Sequence, residues 1–161
     1  MTLFSLALEI ITQAQDQKKT ITTAESITGG RIASALTAVS GASAVFMGGV
    51  VAYSEHAKIH SAGVPVEEVR RTHGYSEATA KYMAERVRRR NIADISISST
   101  GCAGPEEIYG FQAGEVIFGL SVRGQETKTF REIFTGMREE VQEQATKFAL
   151  EKVLEALEMG E

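Results

Sequence analysis

The chain has few or none of several residue types, and each shortage excludes a class of protein. Its 161 residues include one cysteine, two prolines and no tryptophan. One cysteine cannot form an intrachain disulfide, so a disulfide-rich scaffold is excluded and a reducing compartment is favoured. Positive charge is not in excess either, because 17 Lys and Arg residues face 21 Asp and Glu residues, for a net charge of −4. This balance argues against direct binding to nucleic acid.

Long apolar segments are also missing. No run approaches the roughly 20 apolar residues that a transmembrane helix needs, so we expect no membrane partner. The first residues, Met1 to Phe4, lack the basic and apolar regions of a secretory signal. A composition with 43% hydrophobic and 24% charged residues is typical of a folded globular protein. We therefore expect one domain over residues 1–161, located in the cytoplasm.

Hydrophobic residues recur at helical spacing in several parts of the chain. One amphipathic helix is predicted over residues 3–17, and another follows Gly30 with Ile32, Leu36 and Val39 on one face. Ser76 is a suitable N-cap for a helix that ends at Arg90. A long helix is predicted at the C-terminal end of the chain, over residues 141–157.

Short runs of β-branched or alternating residues predict the strands. They cover residues 20–24, 49–53, 94–100, 115–122 and 127–134, of which 49–53 is predicted to be buried. The last two strands are expected to form an antiparallel hairpin through Arg123 and Gly124. Strands that alternate with helices predict a three-layer α/β/α fold with a mixed, mostly parallel sheet.

The segment from Glu25 to Gly30 joins a predicted strand to a helix. Ligands bind at the carboxyl ends of strands in open α/β sheets, and glycines let the backbone approach a ligand closely. Ser26 is therefore a candidate nucleophile, with Thr28, Gly29 and Gly30 as candidate substrate contacts. Considered alone, the turn favours a serine or threonine that caps the helix, because this is the commoner use of such residues.

A serine nucleophile needs a base, and lysine can serve when its pKa is lowered. Lys58 follows the predicted strand 49–53, so it and Tyr53 could lie at the same sheet edge as Ser26. The alternatives are that Lys58 is a solvated helix lysine and that Tyr53 is a core residue.

A third loop begins at Thr100 and Gly101, where a substrate amide or phosphate could bind, although a plain turn is the competing interpretation. Cys102 in this loop is either a thiol nucleophile or a small buried hydrophobic residue. His56 and His60 are four residues apart but have no evident third ligand, so no metal site is expected.

Taken together, these loops resemble the CinA C-terminal domain family, the competence/damage-inducible family that includes nicotinamide-nucleotide amidases. The resemblance runs from about Leu6 to Leu157. Its strongest blocks are residues 22–30, 40–46, 48–54 and 100–105, together with Ala57-Lys58.

The resemblance implies a three-layer α/β fold and hydrolysis of nicotinamide mononucleotide to nicotinic acid mononucleotide and ammonia. It implies that Ser26 is the nucleophile, that Lys58 activates it, and that Tyr53 and Thr100 are polar residues of the active site. Gly101 belongs to the substrate-binding blocks, and Arg138 falls where the family has an arginine on the substrate side. The family uses no metal for this reaction, needs no other cofactor here, and commonly forms homodimers.

Some segments differ from the family pattern. Residues 73–77 are one residue shorter than usual, and the loop 106–113 lacks the usual glycine-rich, lysine-proline pattern. Two further hypotheses therefore stand beside the amidase: a Ser-Lys amidase for another amide, and a nucleotide-binding or interaction module with weak or no activity.

Overall fold

The computed structural model describes residues 1–160 and shows a central sheet covered by helices on both faces. The strands are β1 (Ile21–Glu25), β2 (Phe46–Val51), β3 (Ile95–Gly101), β4 (Glu115–Val122) and β5 (Lys128–Ile133). The helices are α1 (Leu3–Gln17), α2 (Arg31–Thr37), α3 (Glu55–His60), α4 (Val66–Thr72), α5 (Glu77–Arg90) and α6 (Arg138–Met159).

The sheet is mixed, with the strand order β2-β1-β3-β4-β5. β1 is parallel to both β2 and β3, whereas β4 is antiparallel to both β3 and β5. Of the five described strands, β4 thus runs opposite to the other four. The mostly parallel sheet, the closing hairpin and the long final helix that the sequence predicts are confirmed.

The helices form one layer on each face of the sheet, as predicted. α1, α2 and α6 pack against one another, and the larger hydrophobic cluster joins them to the sheet. α5 packs on the opposite face against β1, β3 and β4. Within residues 1–160 no helix is both long and apolar enough to cross a bilayer.

Two predicted elements need correction. β2 runs from Phe46 to Val51 rather than over 49–53, and it is an edge strand whose residues alternate in exposure, with Val51 51% exposed. Strands at the centre and at the edge of a sheet can both contain a run of apolar residues. The sequence pattern therefore does not show whether this strand is buried. α2 ends at Thr37, so Val39 packs in the core from the turn beyond the helix.

The topology brings three loops to one edge of the sheet. β1, β2 and β3 are parallel neighbours, so their carboxyl ends lie side by side. Ser26, Tyr53 and Cys102 come shortly after these three strand ends.

Candidate active site

Ser26 directly follows β1 and is 6% exposed. Its backbone N–H donates to the Ser99 carbonyl oxygen at 2.9 Å, which fixes the residue against the end of β3. Its hydroxyl has no hydrogen-bond partner within residues 1–160, although the residue lines a cavity. The alternative that Ser26 caps α2 is wrong, because the N-cap is Gly30 at φ +94°, and α2 starts one residue later.

Glu25 anchors the start of α2, a role that is not among the predictions from the sequence. Its fully buried carboxylate accepts the backbone N–H of Ile32 at 2.9 Å and that of Ala33 at 3.0 Å. These N–H groups belong to the first turn of the helix and have no partner inside it. An acidic residue just ahead of a helix suits the helix dipole, and this signal could have pointed to Glu25.

Thr28, Gly29 and Gly30 shape the turn but do not line the cavity. The Thr28 hydroxyl is buried beneath the turn, 2.6 Å from Glu25 Oε1 and 2.8 Å from Ser99 Oγ. Gly29 and Gly30 adopt φ values of +57° and +94°, which glycine tolerates best.

The cavity next to Ser26 has a volume of 430 Å³, within the range typical of small-molecule sites. Four of the predicted site residues line it: Ser26, Tyr53, Gly101 and Arg138. The rest of its wall is formed by Ile27, Tyr75 and the loop after Gly101, as far as residue 108.

Backbone N–H groups are available at this cavity. Those of Ile27 and Ala103 make no hydrogen bond to an acceptor in residues 1–160, and both residues line the cavity. The N–H of the residue after a nucleophile is a common donor to the oxyanion of acyl transfer. The two N–H groups are therefore candidate donors for such an oxyanion.

Arg138 is the first residue of α6, and it bridges two loops at the cavity mouth. Nη1 donates to the Gly104 carbonyl oxygen at 2.9 Å, and Nη2 donates to the Tyr53 phenol oxygen at 2.8 Å. Tyr53 is 58% exposed, so the alternative that it is a core residue is wrong.

Lys58 is buried in α3, with 1% of its surface exposed, so the alternative of a solvated lysine is wrong. Burial lowers the pKa of Lys58 from its ordinary value of 10.5 to about 8, while the negative charge of Glu55 acts in the opposite direction. Nζ donates to the Tyr53 carbonyl oxygen at 3.5 Å. Lys58 does not line the cavity, and no hydrogen bond joins Nζ to Ser26.

Gly74 has no side chain, and this leaves room for the side chain of Lys58. A Cβ at this position, where φ is +84°, would lie 2.5 Å from Lys58 Cδ. The Thr100 hydroxyl, fully buried, donates to the Gly74 carbonyl oxygen at 2.6 Å. Thr100 therefore lies behind the cavity and holds the segment against which Lys58 packs.

Cys102 is a small buried residue, as one of its two interpretations predicts. Cys102 is 4% exposed and its thiol lies 3.1 Å from the Glu106 carbonyl oxygen. The rings of His56 and His60 are 4.2 Å apart between centroids. In the described part of the chain, no group of three or more His, Cys, Asp or Glu residues could hold a metal ion.

Solved structures of known proteins share this architecture. A competence or damage-inducible protein from Enterobacter asburiae is 37% identical, with a TM-score of 0.92 over 98% of this chain and 99% of that one. A CinA superfamily protein from Klebsiella pneumoniae is 35% identical, with a TM-score of 0.93 over 99% of both chains.

The chain belongs to the CinA C-terminal domain family, which it matches over residues 3–157. A relative from Geobacillus kaustophilus, whose name includes the words competence-damage inducible protein, is 38% identical over 156 residues. That match covers 97% of this chain and 37% of the relative. The chain thus spans a little over a third of the length of such curated relatives.

Proposed function

We propose that this protein is an amidohydrolase that converts nicotinamide mononucleotide into nicotinic acid mononucleotide and ammonia. The observation that carries the proposal is a buried serine at the cavity together with a buried lysine whose amine contacts Tyr53, another residue of the cavity wall. The Ser26 hydroxyl has no hydrogen-bond partner among residues 1–160, and Lys58 has a desolvated amine with a lowered pKa. A neutral lysine amine can accept the proton of a serine hydroxyl, which is the usual requirement for a serine nucleophile.

In the proposed reaction, Ser26 Oγ attacks the carboxamide carbon and its proton passes to the neutral amine of Lys58. Because no hydrogen bond joins the two side chains, this transfer requires a bridging water or a rotation of the lysine. The N–H groups of Ile27 and Ala103 would stabilise the oxyanion. The C–N bond then breaks as Lys58 returns the proton to the departing ammonia, and water hydrolyses the acyl-serine to the carboxylate.

The substrate phosphate would bind at Arg138. A guanidinium has five N–H donors in a planar fork, and two of them are used for Gly104 and Tyr53. The remaining donors can pair with phosphate oxygens at the open end of the cavity. Thr28, Gly29, Gly30 and Thr100 would act by holding the backbone of the site in place.

The direct test is ammonia release by the purified protein with a panel of pyridine carboxamides. We expect turnover of nicotinamide mononucleotide and much slower turnover of nicotinamide riboside and free nicotinamide, since these lack the phosphate. Binding of the mononucleotide without any ammonia release would contradict the amidase proposal.

The same arrangement supports two alternatives. The absence of a Ser26–Lys58 hydrogen bond within residues 1–160 favours a nucleotide-binding or interaction module with weak or no activity. Glu106 and Glu107 line the cavity and favour a Ser-Lys amidase with another amide substrate, because negatively charged residues near the cavity would repel a phosphate. Turnover of a different carboxamide in the same assay would identify the second alternative.

We also propose that the protein works as a cytoplasmic homodimer without a metal or other cofactor and without direct contact to nucleic acid or membrane. Light scattering of the purified protein tests the dimer, because a single species at monomer mass would contradict it.

A further inference from the structure

Tyr75 lies where the cavity and the buried lysine meet. It lines the same cavity as Ser26, whereas Lys58 does not. The Lys58 amine lies over its ring, 5.5 Å from the centroid. Tyr53 also touches the amine, but through its backbone carbonyl oxygen. Tyr75 is thus a cavity residue whose side chain covers the lysine.

Neighbouring aromatic rings hold Tyr75 in this position. The Tyr109 and Phe111 rings lie 5.6 Å and 5.7 Å from it between centroids, and the Phe111 ring meets it edge-on. Phe111 is 8% exposed, so it is a rigid support. Tyr109 stacks in turn on His73, with centroids 3.8 Å apart.

The backbone next to Tyr75 positions the lysine as well. Gly74 contacts the aliphatic part of Lys58, and its carbonyl oxygen is held by Thr100. The ring and the amine are therefore fixed by adjacent residues of one segment, in a part of the chain where the sequence differs from its family pattern.

We propose that the ring of Tyr75 separates the Lys58 amine from the water of the cavity. Tyr75 is then a positioning residue that acts through Lys58. Its ring, rather than its hydroxyl, excludes water from the amine. The inference rests on the proposed function only for its catalytic consequence, because the exclusion of water from Lys58 can be measured without turnover.

The charged group that acts on the amine does not lower the pKa of Lys58. Glu55 on α3 faces Lys58 and favours its charged form, and the Glu55 carboxylate also contacts His73 Nδ1 at 3.3 Å. Tyr53, Tyr109 and Cys102 are the other titratable groups close to Tyr75. Since burial is the larger cause of the lowered pKa of Lys58, removal of the cover should shift this pKa back towards 10.5.

The test is a titration of the lysine side chains by NMR in protein labelled with 13C-lysine, with Lys58→Met used to assign the Lys58 signal. In Tyr75→Ala we expect the pKa of Lys58 to rise by about one unit or more. In Tyr75→Phe, which keeps the ring, it should stay at the wild-type value. If the amidase proposal holds, the midpoint of the pH profile of kcat/KM moves by the same amount in Tyr75→Ala.

The matched control is Tyr82→Ala, because Tyr82 also pairs with a cation, Arg86 at 5.6 Å, but does not line the cavity. This variant should leave the pKa of Lys58 unchanged. If Tyr75→Ala does not fold, Tyr75→Val opens the same side of the lysine and should shift the pKa in the same direction. An unchanged pKa in a folded Ala or Val variant, or an equal shift in Tyr75→Phe, would overturn the inference. If the pKa shifts are as expected but no turnover is found, the amidase proposal is contradicted and the inference about Tyr75 is not.

Discussion

Arg138 Nη2 donates a hydrogen bond to the phenol oxygen of Tyr53 at 2.8 Å, although the two residues are 85 positions apart in the chain. The bond joins the first residue of α6 to the loop after β2, across the mouth of the cavity that contains Ser26. It therefore fixes the orientation of the guanidinium that the proposed function assigns to the substrate phosphate.

This bond predicts how two variants differ. Arg138→Ala should raise KM for nicotinamide mononucleotide at least tenfold, because a charge-assisted contact to phosphate is lost. Tyr53→Phe should raise KM only a few-fold, since it removes one hydrogen bond worth about 1 kcal/mol. Steady-state kinetics measure both. Nicotinamide riboside is the control substrate, because without a phosphate its kcat/KM should be insensitive to Arg138→Ala.

Ser26→Ala should lower kcat by about 10⁴-fold or more, because the nucleophile is removed. The melting temperature should stay close to that of the wild type, since the hydroxyl makes no hydrogen bond within residues 1–160. Ser34→Ala on the exposed side of α2 is the control and should keep full activity. An alanine variant at position 26 with wild-type turnover would refute the role of Ser26.

Lys58 predicts a pH dependence of activity. Because the amine must be neutral to accept a proton, kcat/KM should rise with pH to a midpoint near the pKa of Lys58, about 8. Lys58→Met should abolish activity, and Lys58→Arg should not restore it, since arginine stays protonated. A pH–rate profile that is flat between pH 6 and about 9 would contradict this assignment.

The same lysine predicts a dependence of stability on pH. In the unfolded chain Lys58 stays protonated up to its ordinary pKa of 10.5, but in the folded protein only up to about 8. Between these values the unfolded chain binds more protons, so the free energy of unfolding contributed by Lys58 rises with pH in this window. Below about pH 8 the cost of the buried charge is present in full, so Lys58→Met should raise the free energy of unfolding at pH 7 by about 3 kcal/mol. Urea unfolding at several pH values measures this, and a destabilised Met variant at pH 7 would contradict it.

Glu25 predicts a structural defect rather than a chemical one. Glu25→Ala removes the carboxylate that accepts from the N–H groups of Ile32 and Ala33, and it also removes one of the two partners of the Thr28 hydroxyl. We expect a loss of about 3 kcal/mol in the free energy of unfolding, measured by urea denaturation. Glu9→Ala, at an exposed position of α1, is the control and should change it by less than about 0.5 kcal/mol.

The sequence by itself determined the elements whose signals are local. The Ser76 cap sets the start of α5, because its hydroxyl accepts the N–H of Thr79, and the helix ends at Arg90 as predicted. The predicted strand 115–122 has the bounds of β4, and the hairpin to β5 follows from the intervening turn. The strand-end loops with Ser26, Tyr53 and Gly101 were found in the same way, since residue type and position in a loop are visible in the chain.

Other features were decided by the tertiary structure. The apolar run of β2 could not reveal an edge strand, because exposure depends on which strand lies beside it. The chain alone favours a solvated Lys58, and its burial arises from Gly74 and Tyr75, which come from a distant loop. Burial of a charge depends on the groups that surround it in space, and neither hydrophobic spacing nor residue type along the chain contains that information.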